Sequence, residues 1–378
     1  MARNGFKVFD ADLHVQEPWD LWLRYIEPRY KNQAPIGTRD YFMDLHLVHD
    51  GKVIAKSMHN KKGEDDQVKA QSVKQGRYDL YKDFEARGFG PDTQVEAMDK
   101  EGVDAAVLFP TRGLFAHAKE YDDDGLAAAI SRAYNDWLAD FCAYRPDRMF
   151  GAAMVPAQAV GAAVEEARRA KRDLGFKAIF LRPNPVKGRN WHDRTYDPLW
   201  AECEKLGLAV GFHEGVPCAL PVAMADRFLV DDVDTWTTEH VACHPVEQMY
   251  ACLSMVAGGV CHRFPALRVG FLEGNCSWAP FWLWRMDEHW EGTVKERTPE
   301  PPSFYFRRQC FVSVEADETV ASRAIGWFEG GNIVFSTDFP HRDSKFPNAV
   351  NVLLGQAFPE DAKRKILWDN PAKLYGLA

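Results

Sequence analysis

Four short stretches of the 378-residue sequence bring acids and imidazoles to the ends of apolar runs: Asp10-Ala11-Asp12-Leu13-His14, Phe212-His213-Glu214, Leu272-Glu273-Gly274 and Thr337-Asp338-Phe339-Pro340-His341. In an extended chain Asp10, Asp12 and His14 lie on one face, with Ala11 and Leu13 on the other. Taken singly, such residues have ordinary duties. A terminal Asp caps the next helix, a strand-end His bonds a neighbouring carbonyl, and Glu273 pairs with Arg285. Gathered in one cavity they make something different, because clustered carboxylates repel one another unless a cation neutralises them. A bound metal is the simplest such cation, met by the acids and imidazoles of these four stretches. His244 stands at the head of a helical stretch over 246–257 and joins them if that helix starts on the same face. Glu214 and His341, close to these ligands in sequence, are placed to orient them or to carry protons.

A shared cavity requires the segments that precede these residues to end side by side. Eight short segments rich in β-branched and aromatic residues recur at 6–14, 103–110, 148–156, 177–185, 208–215, 268–275, 310–317 and 333–341. Between most of them, apolar residues return at helical spacing, as over 92–101, 125–143 and 160–174. Alternating strands and helices imply parallel strands joined by crossovers. Eight of them predict an α/β fold closed as a (β/α)8 TIM barrel, with an open doubly wound sheet as the alternative. Barrels do their chemistry at the carboxyl ends of the strands, where the acids and imidazoles fall. Two stretches, 17–91 and 216–240, are longer than crossovers need and are expected to be lid or interface insertions in a single domain spanning 1–378.

The same geometry suggests substrate contacts. Arg182 and Asn184, in the phrase Phe-Leu-Arg-Pro-Asn-Pro after the fourth segment, are placed to meet an anionic group, and Trp278 to wall an apolar pocket. Trp278, Phe281, Trp282 and Arg285 share one helical face, expected to pack on the barrel or on a second subunit as a homodimer.

Composition removes several partners. Lys and Arg total 46 against 55 Asp and Glu, a net charge of −9, so the chain lacks the basic face that nucleic acid or an anionic membrane requires. No apolar run is long enough to span a bilayer, and residues 1–7 lead into a strand-like segment without an apolar leader, so a cytoplasmic location is expected. The eight cysteines form no Cys-x-x-Cys pair and are expected as buried thiols.

The Asp-x-His pair Asp12 and His14, the strand-five His213, the strand-eight Asp338 and the eightfold order together resemble the amidohydrolase-related superfamily of metal-dependent TIM barrels, over essentially the whole chain. The pattern is most similar to the branch containing decarboxylases of aminocarboxymuconate semialdehyde and of hydroxybenzoates. That resemblance implies one divalent metal held by Asp12, His14, His213 and Asp338. The sequence departs from the branch at strand six, where Glu273 stands in place of a histidine. It departs from the hydrolytic binuclear members at strand four, where Arg182 stands near the place of a bridging group.

Six groups, Asp12, His14, His213, His244, Glu273 and Asp338, exceed what one zinc ion takes. The surplus also resembles TIM-barrel non-haem diiron monooxygenases. This reading predicts two Fe, activation of O2, a hydrophobic and possibly coenzyme-A-linked substrate, and an external electron donor. The second reading is a mononuclear Zn or Mn decarboxylase or hydrolase acting on a carboxylate or carbonyl, with Glu273 or His341 moving protons.

Overall fold

A computed structural model of the chain describes residues 3–37, 47–49, 52–54, 80–213, 239–341 and 344–377. In chain order its strands are β1 (Phe9–His14), β2 (Ile36–Gly37), β3 (Leu47–His49), β4 (Lys52–Ile54), β5 (Ala105–Phe109), β6 (Met149–Met154), β7 (Ala178–Leu181), β8 (Ala209–Phe212), β9 (Val269–Phe271), β10 (Cys310–Val314) and β11 (Ile333–Phe335). Eight of them pair in the order β1-β5-β6-β7-β8-β9-β10-β11, and every ladder is parallel. This is the expected (β/α)8 barrel. Strands such as β5 (AAVLF) and β7 (AIFL) are buried throughout, as a parallel sheet covered on both faces requires.

The predicted helices form at Pro91–Glu101, Asp124–Cys142, Val160–Arg172 and His244–Met255. Asp123 caps the second by accepting from the backbone N–H of Gly125 and Leu126. The helix Ala279–His289 departs from expectation. Trp282 turns inward and donates to Met249 O at 2.7 Å, whereas Phe281 and Trp284 are exposed, and Arg285 pairs with Glu288 rather than Glu273.

The barrel is stitched between β11 and β1 by side chains and turns. Ser336 Oγ donates to Asp12 O at 2.9 Å, and His14 N donates to Phe339 O at 2.8 Å. Asp10 is the principal clasp: it accepts from the Thr337 hydroxyl, from Thr337 N at 3.2 Å and from Asp12 N at 3.0 Å. β1 carries an irregularity between Asp10 and Leu13, so simple alternation fails there. Asp10 serves the seam and leaves the site to Asp12 and His14.

In the first expected insertion, the helix Leu21–Tyr25 packs on Asp124–Cys142, with Trp22 Nε1 donating to Ile130 O at 3.2 Å. Beyond it, β2, β3 and β4 form a small antiparallel sheet. Most of 216–240, and Glu214, lie outside the described residues. The seven cysteines among the described residues are buried and free. No helix among the described residues is long and apolar enough to cross a membrane.

Candidate metal centre

The first contributions come from β1 and β8. His14 and His213 are fully buried, and their Nε2 atoms face each other at 3.0 Å. His14 Nδ1 lies 2.7 Å from Pro110 O, which can only accept, so the proton of a neutral ring sits on Nδ1 and the Nε2 lone pair points into the cluster. His213 is seated by aromatic packing: Phe109 stacks on it at 5.7 Å and Phe180 meets it at 6.1 Å. A Cβ at Gly211 would come within 2.9 Å of Phe109, so glycine there leaves room for that ring.

Carboxylates surround this pair. Asp12 lies 3.7 Å from His14 Nε2 and 3.6 Å from His213 Nε2, and Asp338 lies 3.5 Å from His14 Nε2. Glu273 reaches His213 Nε2 at 2.6 Å and lies 3.9 Å from the Nδ1 atoms of both His244 and His341. His341 Nδ1 is 2.6 Å from Asp338. The structure therefore brings together all six residues expected as ligands, with His341 beside them.

Asp338 and Glu273 both adopt left-handed backbone conformations, with φ of 55° and 53°. Few non-glycine residues do so, and neighbours must hold them there. Ser336 Oγ accepts from Asp338 N at 3.2 Å, and Ser313 Oγ accepts from Glu273 N at 2.9 Å. Gln248 braces the ends of β8 and β9 by donating to Phe212 O and Leu272 O.

The electrostatics match a cation site. Burial pushes the Asp12 carboxyl up to about 8, with Glu273 and Asp10 adding to the rise against the pull of His213. Burial, then His341 and His213, hold His14 well below the usual imidazole range. For Glu273 burial acts upward, yet His213, His244 and His341 together hold it well below the carboxylate range. Asp12 Oδ1 is buried and accepts no hydrogen bond. Two imidazole Nε2 atoms 3.0 Å apart and an orphaned carboxylate oxygen beside them are what a divalent ion would satisfy. Asp12, His14 and His213 present ligand atoms within 4.8 Å of one another, as do His14, Glu273 and His341. The residues fit a metal.

The outer candidates lie elsewhere around the mouth. Arg182 is buried, and its guanidinium is committed to Glu120 at 2.7 Å, to Pro185 O at 2.7 Å and to Ala118 O. It anchors the loop after β7 instead of presenting its charge to a ligand, which corrects its expected role. Asn184 is fully buried with neither amide atom hydrogen-bonded, and Trp278 Nε1 is buried without an acceptor. Trp278 stands edge-on to Phe271 at 6.3 Å.

Sequence reading missed Asp10 as the clasp, and it missed Thr111 and Glu17. Thr111 Oγ1 lies 3.0 Å from His341 Nε2. Glu17, wholly buried, accepts from the backbone N–H groups of Thr111, Arg112 and Gly113. The only sequence signal was a lone Glu just past the first strand, too common to single out.

Comparisons with known proteins agree with this geometry. The family model described as amidohydrolase matches residues 10–377. A 2-amino-3-carboxymuconate-6-semialdehyde decarboxylase from Dictyostelium discoideum is 25% identical over 312 residues, covering 82% of each chain. A gamma-resorcylate decarboxylase from Rhizobium sp. (strain MTP-10005) is 29% identical over 261 residues, covering 66% of this chain and 76% of its own. Among solved structures, a dihydroxybenzoic acid decarboxylase from Polaromonas sp. JS666, with bound manganese and the inhibitor 2-nitroresorcinol, superposes with a TM-score of 0.64 at 18% identity, covering 100% of this chain and 98% of its own.

These relatives overturn the diiron monooxygenase expectation: both curated relatives are decarboxylases. Neither an electron donor nor coenzyme A finds support. The physical reason is visible at Glu273. The carboxylate read as a surplus ligand is enclosed by three imidazoles, His213, His244 and His341, and their pull holds it below the carboxylate range.

Proposed function

We propose, from the premise that this chain belongs to the amidohydrolase family, that it is a mononuclear metal-dependent decarboxylase of a small carboxylate on an unsaturated or aromatic carbon. The observation that carries this reading is the convergence of the His14 and His213 Nε2 atoms, 3.0 Å apart, with Asp12 and Asp338 within 3.7 Å of them. Asp12, His14, His213 and Asp338 would hold one divalent ion, Mn or Zn. When bound, it supplies Lewis-acid attraction for a substrate carboxylate and an adjacent oxygen. The decarboxylase relatives named above support the substrate class.

The protein's own groups do the rest. Decarboxylation at an sp2 carbon needs a proton delivered to that carbon. The C–C bond to the carboxylate then breaks, CO2 leaves, and the electron pair returns to the π system, so one proton is taken up for each CO2 released. His341 is the proton carrier in this reading. Its Nδ1 faces the carboxylates of Asp338 and Glu273, at 2.6 and 3.9 Å. Glu273 stays ionised among the imidazoles, 3.9 Å from the Nδ1 atoms of His244 and His341. Asn184 and Trp278 offer unsatisfied donors at the mouth for a substrate's polar groups, while Phe109 and Phe180 make the wall behind His213 apolar.

The test is turnover by metal-reconstituted protein on a panel of hydroxybenzoates and amino-carboxymuconate-type acids, reading CO2 release and substrate absorbance. Manganese- or zinc-dependent CO2 release is expected, abolished in His213→Ala. Metal-dependent hydrolysis of amides or esters, with no CO2 from any carboxylate, would overturn the reading.

A further inference from the structure

The ladder between β8 and β9 ends just short of the metal centre. Its last bond runs from Leu272 N to Phe212 O at 2.8 Å, and the next residues on the two chains are His213 and Glu273. The amide of Gln248 closes this end. Fully buried, it donates from Nε2 to Phe212 O at 3.1 Å and to Leu272 O at 2.7 Å, the carbonyls that immediately precede His213 and Glu273. Both amide protons are spent on these carbonyls, and Oε1 is buried with no donor. Turning the amide over would set that oxygen against two carbonyl oxygens, so its partners fix its orientation.

A third part of the site is tied to the same side chain. Gln248 lies in the helix His244–Met255, four residues after His244, so the two share a face of that helix. His244 Nδ1 lies 3.9 Å from Glu273. The turn after Glu273 is shaped to admit the glutamine: a Cβ on Gly274 would come within 2.9 Å of Gln248 Cγ and 3.4 Å of His244 O. One side chain therefore joins β8, β9 and the helix, the three elements that bring His213, Glu273 and His244 together. His213 Nε2 and Glu273 Oε2 stand 2.6 Å apart, a spacing that a slip of either strand end would change.

We infer that Gln248 is a positioning residue for the metal centre: by bonding the backbone one residue before His213 and Glu273, it sets where His213 presents its ligand nitrogen, and metal affinity depends on it. This role rests on the metal-binding part of the proposed function and is independent of decarboxylation.

The experiment measures the zinc affinity of the full chain by competition with a chromophoric chelator, and the visible absorption of the cobalt-loaded protein, which reports ligand geometry. Gln248→Met keeps the length of the side chain and removes both donors. It should weaken zinc binding about tenfold or more and shift the cobalt spectrum. Asn370→Leu is the matched comparison, because Asn370 Nδ2 also donates to two carbonyls, Gly330 O at 2.8 Å and Ile333 O at 2.7 Å, at the amino end of β11. That variant should lower Tm yet leave zinc affinity within about twofold and the cobalt spectrum unchanged. Should methionine prevent folding, judged by circular dichroism, Gly274→Ala carries the test: it keeps the amide, crowds it, and should weaken zinc binding about threefold or more. Unchanged zinc affinity in the folded variant, or an equal loss of zinc in Asn370→Leu, would overturn the inference. An unsubstituted protein that takes up neither zinc nor manganese would overturn the metal reading and this role with it. The expected variant effects in a protein that releases no CO2 would overturn the decarboxylase reading alone.

Discussion

Two regions at the barrel mouth bury charge in opposite ways. After β7, Arg182 is met by one carboxylate and two carbonyls, all directed at its guanidinium. Around β1, β8 and β11, three carboxylates and four imidazoles converge, and Asp12 Oδ1 is left without a hydrogen bond. In the first arrangement Glu120 balances the charge, although Arg182 Nε keeps no hydrogen bond. The second needs a cation, because desolvated carboxylates at this density cannot all ionise unaided. Buried charge alone therefore does not mark a functional site; convergence with unsatisfied ligand atoms does.

The largest effect that would break this contrast is loss of the metal. His213→Ala should lower bound manganese or zinc, read by elemental analysis, from about one per chain to near none, and decarboxylation should fall on the order of 10³-fold. Retention of metal and activity would show that the converging groups are structural, like those at Arg182. Next is the clasp. Asp10→Asn replaces an acceptor of Thr337 by a group that also donates, so metal affinity should weaken about 10–100-fold, measured by competition with a chelator.

The closed region should respond in stability alone. Glu120→Gln leaves the buried Arg182 without its carboxylate. Because Glu120 is itself one-third exposed, the loss should be about 1–3 kcal/mol, read from denaturant midpoints, with metal content unchanged.

The smallest effect is a pH dependence. The Asp12 carboxyl is raised to about 8 in the folded, metal-free protein, so between its unfolded value and about 8 the folded chain binds more protons than the unfolded one. That contribution is fully present below the unfolded value and is lost as pH rises through about 8. His14, held low, acts in the opposite sense, but only below the ordinary imidazole range. From about pH 7 to 8.5 the metal-free protein should therefore lose stability, and the rise in Tm on adding zinc should grow over the same interval. A metal-induced rise that is flat with pH would remove Asp12 from the ligand set.

Much of this was legible in the residues. Runs such as Ala105–Phe109 and Ala178–Leu181 declare buried parallel strands, and the spacing over 124–142 declares a helix, because burial on both faces or on one stripe must be written into local composition. Asp12, His14, His213 and Asp338 stood out because polar residues rarely end apolar strands without a reason. The predicted strands ran too far at their carboxyl ends, as at 268–275 against Val269–Phe271, because the residues that carry chemistry have already left the ladder.

The sequence by itself determined the barrel and the gathering of acids and imidazoles at its strand ends, since both follow from period, composition and position. Tertiary structure decided how those residues are used. The irregularity in β1 gives Asp10 to the seam, the left-handed turns at Glu273 and Asp338 aim their carboxylates, and Glu120 claims Arg182. Contacts such as Thr111 with His341 join residues 230 positions apart. No local pattern encodes them, because they exist only once the closed barrel has brought its first and last strands together.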